Sequence, residues 1–112
     1  MRDTVVIRSA LESQLQELDS RSQRISEALS EPLSADSAER VSEMEDDAGL
    51  EAEQRLIAQE IASVQRALVR LQDGTYGECI HCGEKISDGR LVARPEAALC
   101  IDCASKSEAQ SR

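Results

Sequence analysis

Two C-x2-C pairs constrain this chain more than anything else in it. Cys79-Ile80-His81-Cys82 and Cys100-Ile101-Asp102-Cys103 stand 17 residues apart and hold all four of its cysteines. In each pair a tight turn brings two thiolates to one side of a metal ion. Two such pairs complete a tetrahedron of sulfur of the kind that binds zinc. Gly83, directly after the first pair, supplies the unrestricted backbone that a turn around a ligand needs. Four thiolates close the coordination shell and leave no position for water or substrate. The expectation is therefore one structural zinc ion held by Cys79, Cys82, Cys100 and Cys103, and no catalytic residue. His81, the only histidine, is expected to be an exposed side chain rather than a fifth donor. A C-x-x-C pair also serves thiol oxidoreductases, but there it sits in a βαβ setting. Nothing in this sequence alternates strand with helix.

A metal is needed here because the rest of the chain offers little to build a compact core. Tyr76 is the only aromatic among 112 residues, and the apolar residues are otherwise aliphatic. Such a composition suits a narrow helix–helix seam. Small cores rarely suffice alone, so zinc binding is expected to supply most of the folding free energy of the cysteine-bearing segment. Between the pairs, Leu91 and Val92 are expected to pack under the metal, while Arg90 and Arg94 form the main basic feature. Residues from Ile101 to about Gln110 can continue as a short helix.

The seam itself is legible. Leu11, Leu15, Leu18, Ile25 and Leu29 recur at steps of three and four, with Ser22 filling the one gap. Leu50, Ile57, Ile61, Val64, Leu68 and Leu71 repeat the alternation, with Gln54 in register, and Gly74 stops it. Pro32 cannot continue the first helix, and Ser34 or Asp36 can cap the second. Two heptad segments joined by a short breaker read as an antiparallel coiled-coil hairpin. A dimeric bundle would satisfy the same pattern, but Pro32 sits where a reversal is needed and favours the hairpin within one chain, expected as a monomer. Gly49 costs its helix about 1 kcal/mol relative to Ala and is a candidate bend. The resulting organisation is a hairpin over residues 1–72 with its tip at about 31–41, then a zinc finger with a C-terminal helix over 73–112.

Charge narrows the choice of partner. The formal net charge is −9, which disfavours duplex nucleic acid, since phosphate binding needs clustered Lys and Arg. From Asp36 to Glu53 eight acidic residues face Arg40 alone. In a hairpin these place negative charge at the tip and along the helix that leaves it. The first fifteen residues contain no apolar run long enough for a signal peptide, and no stretch approaches the length of a membrane span. The expectation is a cytoplasmic protein whose thiols stay reduced and free to bind metal.

These residues resemble a known family. Gly74-Thr75-Tyr76-Gly77-x-Cys79-x-x-Cys82-Gly83, then Arg90-Leu91-x-Ala93-x-Pro95, then Cys100-Ile101-Asp102-Cys103 are similar to the DksA/TraR zinc-finger proteins. The resemblance runs from about Ser34 to Ala104, after a compatible coiled-coil helix, and marks a short DksA-like member. It implies a transcription regulator that binds RNA polymerase directly, without sequence-specific DNA contacts. Its coiled coil would enter the secondary channel, and acidic residues at the tip would approach the catalytic region. The family's tip pattern, Asp-x-x-Asp-x-Ala, falls on Asp36, Glu39 and Val41, with Arg40 also matching. One carboxylate is thus longer and the alanine is replaced by a bulkier residue. Of the basic positions that resemble contacts to the alarmone ppGpp, Arg94 remains, whereas Ser63 and Ala104 stand where lysines are expected. Losing two cations should weaken a site for so highly charged an anion. The alternative reading is a zinc-stabilised coiled-coil adaptor that binds another protein.

Overall fold

The computed structural model describes residues 3–110. They form four helices, α1 (Thr4–Leu29), α2 (Ser37–Asp73), α3 (Asp88–Ala93) and α4 (Ile101–Gln110). Among the described residues no strand accompanies them, only one isolated antiparallel bridge between Glu78 and Lys85. The fold is the expected one: an antiparallel helical hairpin, then a small four-cysteine finger with a short C-terminal helix. No described helix is long and apolar enough to cross a membrane. Two compact units result, one of Met1–Leu15 with Ala62–Arg112 and the other of Gln16–Ile61.

In the Gln16–Ile61 unit, the end of α1 and the start of α2 pair along the heptad seam. Leu18, Ile25 and Ile57 are buried, and Leu29, Leu50 and Ile61 are half-buried. The two polar residues that interrupt the seam meet each other. Gln54 Nε2 donates to the Ser22 carbonyl at 3.1 Å and to Ser26 Oγ at 2.9 Å. α1 ends where Ser30 N donates to the Ser26 carbonyl, two residues before Pro32. α2 begins with Asp36 as its N-cap: Asp36 Oδ1 accepts from Glu39 N at 3.0 Å, satisfying an amide with no partner inside the helix. Ser34 supports the cap rather than forming it, since its hydroxyl accepts from Asp36 N and donates to Glu39 Oε2. α2 then continues unbroken through Gly49, around which there is open space.

In the other unit, Ile7, Leu11, Val64, Ala67 and Leu71 are buried. Helix α1 starts earlier than the seam from Leu11 suggested, because Asp3 Oδ1 caps it through Val5 N and Ile7 adds one more buried turn. α2 closes with Gly74 in the left-handed region (φ +83°). Thr75 N donates back to the Arg70 carbonyl at 3.0 Å, which closes the helix with a Schellman turn. Glu96 ties the finger to both helices: its carboxylate accepts from Gln14 Nε2, and its carbonyl accepts from Arg70 Nη2.

Candidate metal centre and tip carboxylates

The finger is folded around its cysteines. Residues 77–86 double back on themselves: Ile86 N donates to the Gly77 carbonyl, Cys79 N to Glu84, and Gly83 N to Cys79. Gly77 and Gly83 both take positive φ (+88° and +79°), a backbone shape that residues with a Cβ rarely adopt. Ile80 N then donates to the Ala98 carbonyl at 2.9 Å, which holds the first cysteine turn against the segment that leads into the second. Ser87 caps the six-residue α3 through Arg90 N, and Arg90 Nε donates to the Leu99 carbonyl at 2.8 Å. Tyr76 Oη donates to the Pro95 carbonyl at 2.8 Å.

The result is a small cluster of Cys79, Ile86, Leu91, Ala97 and Cys103, with Tyr76, Leu99 and Cys100 packed against it. Leu91 lies beneath the cysteines as expected. Val92 does not: it is 65% exposed. Leu91 takes the buried face of α3, and a helix this short turns the next residue outward. His81 is exposed, as a residue between two ligands should be.

The sulfur atoms of Cys79, Cys82, Cys100 and Cys103 all lie within 4.8 Å of one another. Cys82 Sγ and Cys100 Sγ are 3.8 Å apart. Zinc–sulfur bonds of about 2.3 Å at tetrahedral angles require sulfur–sulfur edges of about 3.8 Å, so the donor set fits one zinc ion. The four cysteines are free thiols rather than disulfides. Cys79 is drawn down to about 6 by the backbone N–H of Cys82, then by that of Cys100, with His81 adding to them. Cys103 is pushed up to about 12, first by its hydrogen bond with the Cys100 thiol and then by burial. At Cys82 the Glu84 N–H favours the thiolate, but burial and the Cys79 sulfur outweigh it and the pKa rises. The backbone is thus aimed at one sulfur, while crowding keeps protons on others. A bound dication removes that conflict by stabilising all four thiolates together.

The tip residues stand at the start of α2. Asp36, Glu39, Arg40 and Val41 are all exposed. Asp36 and Glu39 are also structurally employed, as cap and as partner of the Ser34 hydroxyl. Arg94 lines a shallow, open pocket of about 390 Å³ with Ser87, Arg90, Ala93 and Ile101. Ser63 Oγ accepts from Arg66 Nη2, and Ala104 N donates to the Cys100 carbonyl in the first turn of α4. Sequence reasoning missed the anchoring of Leu99 by Arg90 and of Pro95 by Tyr76. Both bonds go to backbone carbonyls, which no residue pattern marks.

Comparison with known proteins agrees with this construction. Residues 7–71 match the DnaK suppressor protein-like N-terminal domain, and residues 74–109 match the prokaryotic dksA/traR C4-type zinc finger. The chain is 38% identical over 52 residues to a protein of Escherichia coli (strain K12) named RNA polymerase-binding transcription factor DksA, a match covering 46% of this chain and 34% of that one. A protein of the same name from Caulobacter vibrioides is 38% identical over 79 residues, covering 70% and 55% respectively. The matched stretches thus span a third to a half of those relatives' lengths. The structure of transcription factor DksA2 from Pseudomonas aeruginosa superposes with a TM-score of 0.82 at 31% identity, over 97% of this chain and 85% of that one. With its helical hairpin and C4 zinc finger, the chain belongs to the DksA/TraR family.

Proposed function

We propose that this protein is a transcription regulator that binds RNA polymerase directly, with the hairpin tip inserted into the secondary channel to modulate initiation. It has no catalytic role of its own and makes no sequence-specific contact with DNA. The observation that carries this reading is the tip itself. Asp36 and Glu39 are exposed carboxylates fixed at the first turn of α2, at the positions that match the family's acidic tip. A negative prong suits a channel lined with cations and close to catalytic magnesium. Zinc, held by Cys79, Cys82, Cys100 and Cys103, supplies structure rather than chemistry. The alarmone ppGpp contributes little at the finger, because Arg94 is the one basic residue kept among the matching positions.

The test is binding of the zinc-loaded protein to core RNA polymerase in competition with a known secondary-channel factor. Mutually exclusive binding supports the channel. Simultaneous binding moves the contact elsewhere on the enzyme. No binding by folded, metallated protein rejects polymerase as the partner and leaves an adaptor for some other protein.

A further inference from the structure

Burial along the hairpin stops well short of its tip. Ile25 on α1 and Ile57 on α2 are buried, but no residue from 26 to 53 is. The seam does not simply end there. Continued back from Leu50 in the same alternation, it passes through Asp47 and Glu43, and both are half-buried. Carboxylates therefore occupy positions that hold Leu, Ile or Val further along. The adjoining layer is polar as well, with Gln54 Oε1 buried and without a hydrogen-bond partner. The ion pair near this layer, Arg21–Glu53 at 3.5 Å, is exposed on both sides and such pairs hold little.

Charge opposes closure of the same segment. Of the chain's 22 acidic and 13 basic residues, ten and one lie between residues 26 and 53. That leaves twelve of each elsewhere, so the whole net charge of −9 resides in this quarter of the sequence. Glu39, Glu43, Asp47 and Glu51 succeed one another at steps of four along α2. Like charges at that spacing destabilise a helix by a few tenths of a kcal/mol per pair.

We infer that residues 26–53 form a separately opening unit, held shut weakly by Leu29, Leu50 and two polar ties, Ser34 N donating to Glu43 Oε2 at 2.7 Å and Gln54 Nε2 to Ser26 Oγ, and pushed apart by the seam carboxylate Asp47 with the acidic row around it. Neutralising that charge closes the unit, so a cationic surface orders the tip that it receives. This conclusion stands on the hairpin's own packing and does not depend on polymerase as the partner.

Hydrogen exchange read by mass spectrometry on the full zinc-loaded chain tests it. Amides in 37–53 should exchange at least ten-fold faster than those in 57–71, and 0.5 M NaCl should slow the first group about three-fold by screening. Asp47→Leu, which restores the seam, should slow it about ten-fold and leave 57–71 unchanged. Asp47→Asn, which removes only charge, should fall between. Equal protection of the two groups in the native protein would overturn the inference, as would Asp47→Leu without effect. Slowing by Asp47→Leu alone, with neither Asp47→Asn nor salt acting, would overturn its electrostatic part.

Discussion

Zinc removal should melt the finger and spare the hairpin, and the size of the change can be worked out beforehand. The finger cluster contains five buried residues, and two of them are the ligands Cys79 and Cys103. Ile86, Leu91 and Ala97 remain, and burial of about 1.5–3 kcal/mol per large aliphatic side chain gives roughly 5 kcal/mol from the three together. A structural zinc site contributes about 10–16 kcal/mol. The metal term is thus the larger by a factor of two or three, and the finger should not survive without it. The helices affected are α3 with 6 residues and α4 with 10, against 26 in α1 and 37 in α2. Complete chelation should therefore lower the helical signal in far-ultraviolet circular dichroism by about a fifth, and one equivalent of zinc should restore it. Exchange should rise across residues 74–109 and near the partners of Glu96, Gln14 and Arg70, with little change around Ile25 and Ile57. Loss of more than half the helical signal would show that the hairpin depends on the metal. No loss at all would refute the argument that the finger's apolar side chains are too few.

Other outcomes follow from single residues. Asp36→Asn keeps a good N-cap and should leave helicity and zinc content unchanged while impairing the transcriptional effect; Asp36→Ala should in addition cost about 1 kcal/mol of local helix stability, read as faster exchange at Glu39 and Arg40. If Asp36→Asn leaves transcription in a polymerase assay unchanged from that with the native protein, the proposed role of the tip carboxylate is refuted. Leu11 is fully buried, so Leu11→Ala should lower unfolding free energy in urea by about 2–5 kcal/mol, whereas exposed Leu56→Ala should change it by less than about 0.5 kcal/mol. Gln54→Leu removes a buried carbonyl oxygen that lacks a partner but also the two bonds that Nε2 donates to Ser22 and Ser26, so the two effects offset and unfolding free energy in urea should change by less than about 1 kcal/mol. Titrating ppGpp into transcription reactions containing this protein should give little synergy, and a strong synergistic response would contradict the reading of Ser63 and Ala104.

Much of this architecture could be read from residue spacing, and the failures are instructive. The seam from Leu11 to Leu29 and from Leu50 to Leu71 was legible because burial on a helix repeats with the helix. Ser22 and Gln54, breaks in each run taken alone, turn out to face one another, which single-helix periodicity cannot reveal. Ala67 is fully buried yet does not stand out in the sequence, since a methyl group carries little weight in a hydrophobic pattern. The early start of α1 was hidden because Val5 and Val6, although apolar, are exposed and blur the rhythm that would have singled out Ile7. The cysteine cluster was the easiest part, because thiolate number and spacing specify the chemistry almost alone. The outward turn of Val92 is not legible, because α3, capped by Ser87, is too short to show a period.

The hydrogen bond from Tyr76 to the Pro95 carbonyl has a practical consequence. Tyr76 is the chain's only aromatic residue, and it packs against the cysteine cluster. Intrinsic fluorescence therefore originates in the finger alone, while the peptide circular dichroism comes mostly from the hairpin. A phenol bonded to a carbonyl emits less brightly than one in water, so emission should rise as the finger opens. The protein thus contains its own optical reporter of metal loading, which can be followed in the same cuvette as hairpin unfolding without any label.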